Sequence, residues 1–216
     1  MRRLILFVCV ILLSCRNNNI ADTNTPKNKP DYILIDSFGS VHPDTSTFKQ
    51  LHCGLFINKG GVIGYLAIDR SMERPMKVFL VSIYDADKND SLHGGIMEMN
   101  KVVDTSTFKI LGDCYFKDRN HIYSFHRMMD GGSISINWDA DNASFKTLGV
   151  GIYAKDKWHC FYRGHLIKGA DSKTFNVFKP PLYNSAYDKK HFYSSDEMMT
   201  SDEVKDSGFD TIRAKK

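Results

Sequence analysis

Two short phrases recur along this chain, and they alternate. The first reads Asp-x-x-Thr/Ser-Phe and occurs as DTSTF at Asp44 to Phe48, DTSTF at Asp104 to Phe108, DNASF at Asp141 to Phe145 and DSKTF at Asp171 to Phe175. The second reads Asp-Lys/Arg-x-His-x-aromatic and occurs as DRNHIY at Asp118 to Tyr123, DKWHCF at Asp156 to Phe161 and DKKHFY at Asp188 to Tyr193. Recurrence of this kind is the signature of a repeat array, in which no unit buries its apolar face alone and each is shielded by its neighbours. Successive first phrases lie 60, 37 and 30 residues apart. The longest gap is read as two periods, which places a degenerate unit between Phe48 and Asp104 with Asp87-Lys88-Asn89 in it. The middle gap is read as one period carrying an insertion at Met128-Met129-Asp130-Gly131-Gly132.

The unit from Asp141 to Asp171 shows what one period builds. Asp141 caps a turn by accepting backbone N–H groups two or three residues on. A strand follows from Phe145 through Leu148, Val150 and Ile152 to Tyr153, bent where Gly149 and Gly151 interrupt it. Asp156-Lys157 makes a polar turn into a return strand at Cys160-Phe161-Tyr162. Arg163-Gly164 turns the chain again into a third short strand at Leu166-Ile167. The expected fold is all-β: about four to five tandem β-hairpin units of roughly 30 residues, forming an open or partly curled sheet array over residues 32–195. Phe108, Leu111, Tyr123, Phe145, Leu148, Phe161, Phe175, Phe178 and Tyr193 are its expected core. Tyr32 to Phe38 is read as a first strand closing one end, and the charged tail 196–216 as carrying a short helix at the other. Aromatic content of 12% and 15 glycines suit strands and turns.

The run from Tyr153 to His159 (YAKDKWH), then Tyr162-Arg163-Gly164, then Gly169 to Phe175 (GADSKTF) resembles the repeat of the DKNYY family of bacterial exported proteins and lipoproteins. The likeness covers roughly residues 85–193 and, more faintly, 40–84. It departs from the pattern at Trp158 and Lys190, where the family usually has Asn. The resemblance implies an exported repeat protein and carries over no catalytic residue.

The amino terminus points to the same compartment. Arg2 and Arg3 precede an unbroken apolar run from Leu4 to Leu13. Ten helical residues span roughly 15 Å, half a bilayer's hydrocarbon core, so the run suits a signal peptide (residues 1–14) rather than a membrane-spanning helix. It ends in Leu12-Leu13-Ser14-Cys15, which looks like a lipobox. In that class the cysteine receives a diacylglyceryl group and becomes the acylated amino terminus, and Cys15 is therefore the expected lipid-attachment residue. Residues 15–31 hold almost nothing apolar and read as a solvated tether. The expected localisation is the bacterial cell envelope, lipid-anchored, on the outer membrane and facing the periplasm in a Gram-negative host. The formal net charge is +4 with no long basic block, and export likewise argues against a nucleic-acid partner.

Five cysteines stand at positions 9, 15, 53, 114 and 160. After loss of Cys9 and acylation of Cys15, Cys53, Cys114 and Cys160 allow at most one disulfide, and the pairing stays open. No CxxC, GxSxG, HExxH or Walker spacing occurs. His121, His159 and His191 recur at one place in three units and are the candidate metal ligands. The competing reading is that they recur because their turn recurs. Asp118, Asp156 and Asp188 share one environment, whereas an acid/base pair needs two unlike ones; they read as turn caps. No catalytic residue and no cofactor is expected. The function read from this pattern is a membrane-anchored, non-catalytic envelope binding module whose partner is a protein or an envelope polymer. The alternatives are a toxin-neutralising immunity lipoprotein and a cell-wall or glycan hydrolase.

Overall fold

Side-chain volume, turn chemistry and strand length combine here into the same small sheet, made four times. A computed structural model describes residues 32–35, 41–44, 48–52, 54–71, 73, 75–85, 95–178 and 184–209. Cys15, Cys53 and Asp87-Lys88-Asn89 lie outside these. The first sheet contains β1 (Tyr32–Ile35), β2 (Val41–Asp44), β3 (Lys49–His52), β4 (Leu55–Ile57), β5 (Ile63–Asp69) and β6 (Met76–Leu80). The second contains β7 (Ser82–Asp85), β8 (Ile96–Glu98), then, after the short helix α1 (Met99–Val102), β9 (Lys109–Ile110), β10 (Tyr115–Lys117), β11 (Ile122–His126) and β12 (Ser133–Ile136). The third is β13 (Lys146–Leu148), β14 (Tyr153–Lys155), β15 (Cys160–Tyr162) and β16 (His165–Leu166). The fourth is β17 (Asn176–Val177), β18 (Ser185–Tyr187), β19 (Phe192–Ser194) and β20 (Glu197–Met198).

All four sheets contain an antiparallel four-stranded meander, β3–β6, β9–β12, β13–β16 and β17–β20. Each first phrase ends directly before the first strand of a meander, and each second phrase forms the turn between its second and third strands. The fold is therefore all-β and built of tandem hairpin units. The first two sheets are enlarged alike by a preceding hairpin, β1–β2 and β7–β8, whose first strand pairs in parallel with the last strand of the meander.

That added hairpin corrects the reading of the 60-residue gap. The gap holds one unit, β3–β6, followed by β7, β8 and α1, which belong to the second sheet. The degenerate second phrase is Asn58-Lys59, between β4 and β5. Asn58 takes the aspartate's place, its side-chain oxygen accepting from the Val62 N–H at 2.9 Å. The run from Phe145 to Tyr153 is likewise two strands, not one bent strand. Gly149 (φ 59°) and Gly151 (φ 89°) let the chain reverse between them, with the Gly151 N–H donating to the Leu148 carbonyl at 3.0 Å. The strand expected at Tyr32 to Phe38 is β1, which lies inside the first sheet between β2 and β6. The six-residue connection from Arg127 to Gly132, between β11 and β12, is the insertion that lengthens the second unit.

The units meet face to face, through side chains. Alternation along β10 and β11 sends Phe116, Tyr123 and Phe125 into a core shared with Leu55, Ala67 and Val78 of the first sheet. Tyr115 and Ile122 go into a core shared with Phe145 and Phe161 of the third. Aromatic pairs cross each junction. Tyr65 meets Phe116 at 4.8 Å, Tyr115 meets Phe145 at 5.2 Å and Tyr153 meets Phe175 at 5.9 Å, each worth about 0.5–1.5 kcal/mol beyond the area it buries. Seven of the nine expected core residues are buried, and Leu111 and Leu148 are partly so. Gly112 and Gly151 let two neighbouring backbones touch, since a Cβ on Gly112 would stand 2.8 Å from the Gly151 Cα.

Two polar pins fix the register of these junctions. Lys155, the last residue of β14, donates to the carbonyls of Ser172 (2.8 Å) and Phe175 (2.7 Å) in the next first phrase. Lys117, in the same place on β10, donates to the Asn142 carbonyl. At the other end of these strands, the Tyr153 hydroxyl donates to the carbonyls of Asn184 (2.8 Å) and Ser195 (3.0 Å), and the Tyr115 hydroxyl accepts from the Gly164 N–H at 3.0 Å. The last unit carries Ser185 and Tyr187 at the corresponding positions. Its outer face is covered instead by α2 (Ser201–Ser207) and the turn after it, Phe178, Phe192 and Phe209 forming a separate small core. Thr200 and Glu203 cap this helix reciprocally and Gly208 ends it in the left-handed conformation.

Lys155→Met removes two charge-assisted bonds and is expected to lower unfolding free energy by about 2 kcal/mol, and Tyr153→Phe by about 1 kcal/mol. Urea titration checks both, and values within about 0.5 kcal/mol of wild type would show that the pins do not hold the junctions.

Candidate functional site

In the second, third and fourth units the recurring residues converge on one buried carboxylate each. In the second unit Asp118 Oδ1 accepts from the N–H groups of Asn120 and His121, both at 2.7 Å. Its Oδ2 accepts from the Asp104 N–H at 2.8 Å and the Tyr123 hydroxyl at 2.6 Å. Asp188 repeats this with Lys190, His191, Asp171 and Tyr193. Asp156 does so with Trp158, His159 and Asp141, Phe161 standing where the others have tyrosine. The Thr or Ser of the first phrase adds a strut, for Thr107, Ser144 and Thr174 accept from the N–H groups of Arg119, Lys157 and Lys189 at 2.9–3.0 Å. The two phrases thus clasp each other, tying the start of a unit to its central turn.

The clasp sets the local electrostatics. Burial alone would raise the Asp188 pKa, but the bonds from Asp171, Tyr193, His191 and Lys190 outweigh it and hold the carboxyl at about 2. Burial, then the bond to Asp188, pushes the Tyr193 phenol up. On the rim, Lys157 and then Ser144 hold Asp141 at about 2, and the hydroxyls of Ser106 and Thr107 lower Asp104. These carboxylates are consumed in building the unit.

His121, His159 and His191 sit one per clasp, each ring against the aromatic two residues on, at 5.9, 6.1 and 6.3 Å. They are not brought together, and among the described residues no group of three or more metal-ligating side chains exists. Cys114 and Cys160 are free thiols buried in the second core. Burial raises both, Cys160 to about 12.

A different set of residues lines a cleft among the described residues. It lies between the second and third sheets, holds about 350 Å³ and is walled by Ser124, His126, Asn137, Trp138, Arg163 and His165, among others. Trp138 is 46% exposed, yet its indole N–H donates to Asp85 at 2.6 Å and its ring lies edge-on to His121 at 5.4 Å. The ring is therefore held in place while nearly half of the residue stays accessible to solvent. Arg163 has a left-handed backbone (φ 48°), which aims its side chain from a tight turn. None of these residues belongs to a repeated phrase in the role it plays here. The signal in the sequence is slight: Trp138 is one of two tryptophans, and it stands two residues after the end of β12.

Residues 133–197 match the model of the DKNYY family. The match takes in β12, the whole third unit and nearly all of the fourth. The same clasp recurs upstream at Asp104 and Asp118. No curated protein and no solved structure matches the chain. Among the described residues no helix is long and apolar enough to cross a membrane.

Asp188→Ala strips an acceptor from three N–H groups and a hydroxyl, and is expected to cost at least about 3 kcal/mol. Because the folded carboxyl sits below its ordinary value of roughly 3.9, its contribution is complete above that pH and is lost as pH falls toward 2. Wild type is therefore expected to lose thermal stability between about pH 4 and 2 more steeply than Asp188→Asn, and parallel profiles would contradict the assignment. Cys114 and Cys160 are expected to resist iodoacetamide at pH 8 in the folded protein and to react in urea, read by mass spectrometry.

Proposed function

We propose, from the likeness of residues 133–197 to the DKNYY family and from the amino-terminal pattern, that the protein is an envelope lipoprotein held to the membrane through Cys15, and that its repeat body is a non-catalytic binding module. The observation that carries the second part is the use to which the recurring polar residues are put. Asp118, Asp156 and Asp188 are buried and bonded to backbone N–H groups, and Lys117 and Lys155 are bonded to backbone carbonyls of the next unit. The repeated chemistry makes a rigid scaffold. What it leaves at the surface is a cleft between two units, with an oriented aromatic face and a mixture of donors and acceptors, which suits recognition of a partner. The anchoring part is supported by the order of charge, apolar run, small residue and cysteine from Arg2 to Cys15. Acyl chains on one residue hold a protein at a bilayer, with the tether leaving the body free to reach its partner.

Two measurements test this. Cys15→Ser is expected to move the protein from the membrane to the soluble fraction, and mass spectrometry is expected to find acyl groups on wild-type Cys15; an unmodified Cys15 would contradict the anchor. The soluble form, residues 16–216, is expected to retain a reproducible partner from envelope extract. Recovery of none, together with turnover in a hydrolase panel, would overturn the binding role.

A further inference from the structure

We propose that the cleft between the second and third sheets binds a saccharide, with Trp138 as the stacking platform. The proposal rests on the binding role above and names the ligand class. Its volume of about 350 Å³ lies at the small end of ligand sites, which run from roughly 300 to 1,000 Å³, room for one end or one residue of a glycan.

The lining decides the chemistry by elimination. A bare anion needs net positive charge, but the fixed charges here are Arg163 and Asp139, one of each sign. A metal ion needs clustered ligands, and none are clustered among the described residues. An apolar side chain would leave the unpartnered Ser124 hydroxyl without a bond and would face Ser135 and two histidines. A sugar ring answers all three features. Its C–H face suits the partly exposed indole that lines the cleft and is held by the Asp85 bond. Its hydroxyls both donate and accept, matching Asp139, which only accepts, Arg163, which only donates, and His126 and His165, which do either. The buried Ser124 hydroxyl lines the cleft and has no hydrogen-bond partner. It is admitted there because residue 164 is glycine, a Cβ on which would stand 2.4 Å from that oxygen. Arg163 has no carboxylate partner among the described residues.

The test follows the indole N–H signals of the soluble form (residues 16–216) by ¹⁵N–¹H NMR during titration with maltotriose, cellotriose and triacetylchitotriose, and with tetra-alanine as a non-sugar. Trp158, 67% exposed and outside the cleft, is the internal reference. At least one trisaccharide is expected to shift Trp138 saturably below about 10 mM while Trp158 stays still. Arg163→Gly keeps the left-handed turn and is expected to weaken that binding at least tenfold with the thermal midpoint unchanged. No Trp138 shift from any of the three sugars, a stronger shift from tetra-alanine, or full binding by Arg163→Gly would overturn the proposal. If the sugars fail while the envelope extract still yields a partner, the saccharide assignment falls and the binding role stands; if both fail, both fall.

Discussion

The second, third and fourth units of this fold hang on a carboxylate that is buried and fully hydrogen-bonded. Removing an ion from water is costly unless its lone pairs are taken up, and unpaired it would neutralise instead. Asp118 and Asp188 each meet that cost with three backbone N–H groups and a tyrosine hydroxyl, and Asp156 with three N–H groups. Those donors come from two places, the central turn and the start of the unit. A single side chain therefore closes the loop between segments about 15 residues apart, something strands of two or three residues could not do by ladder bonds alone.

From that clasp the higher order arises. A closed unit presents both faces of a small sheet, and each face is too apolar to leave in water. Neighbouring units cover them, and the lysine that precedes the clasp aspartate reaches forward into the next clasp. The two devices are one residue apart in sequence, so fixing a unit's interior also fixes its outgoing junction. The chain stops this propagation by changing two residues: Ser185 and Tyr187 replace the tyrosine and lysine of the preceding units, and the apolar face left over is covered by Val204 and Phe209. The first junction, where Leu55 and Ile57 replace the same pair, relies on hydrophobic packing. Stability in such an array is a sum of units and nearest-neighbour junctions.

How much of this is legible in the sequence depends on whether the cause is local. The two phrases, their turns and most of the core are legible because each Asp, Thr and Phe acts within a few residues of its place. The 60-residue gap misleads because a hairpin added to the far edge of a sheet consumes chain length just as a repeat does. Asn58 hides the degenerate phrase because an amide oxygen accepts like a carboxylate while spelling the phrase differently. The break at Gly149 and Gly151 reads as a bend, since glycine marks a reversal and a bulge alike. The cleft is not legible: Ser124, Trp138 and Arg163 meet only after two units have docked. The lysine pins are visible as Lys117-Asp118 and Lys155-Asp156, but their partners lie in the next unit.

Native-state amide hydrogen exchange on Asp156→Asn measures most directly whether the clasp governs its unit and the junctions beside it. Protection is expected to fall most in the third unit, next in the sheets on either side of it, and least in the first sheet, following the order of stacking. Loss of protection spread evenly over all four sheets, or confined to the turn at residues 156–159, would contradict it.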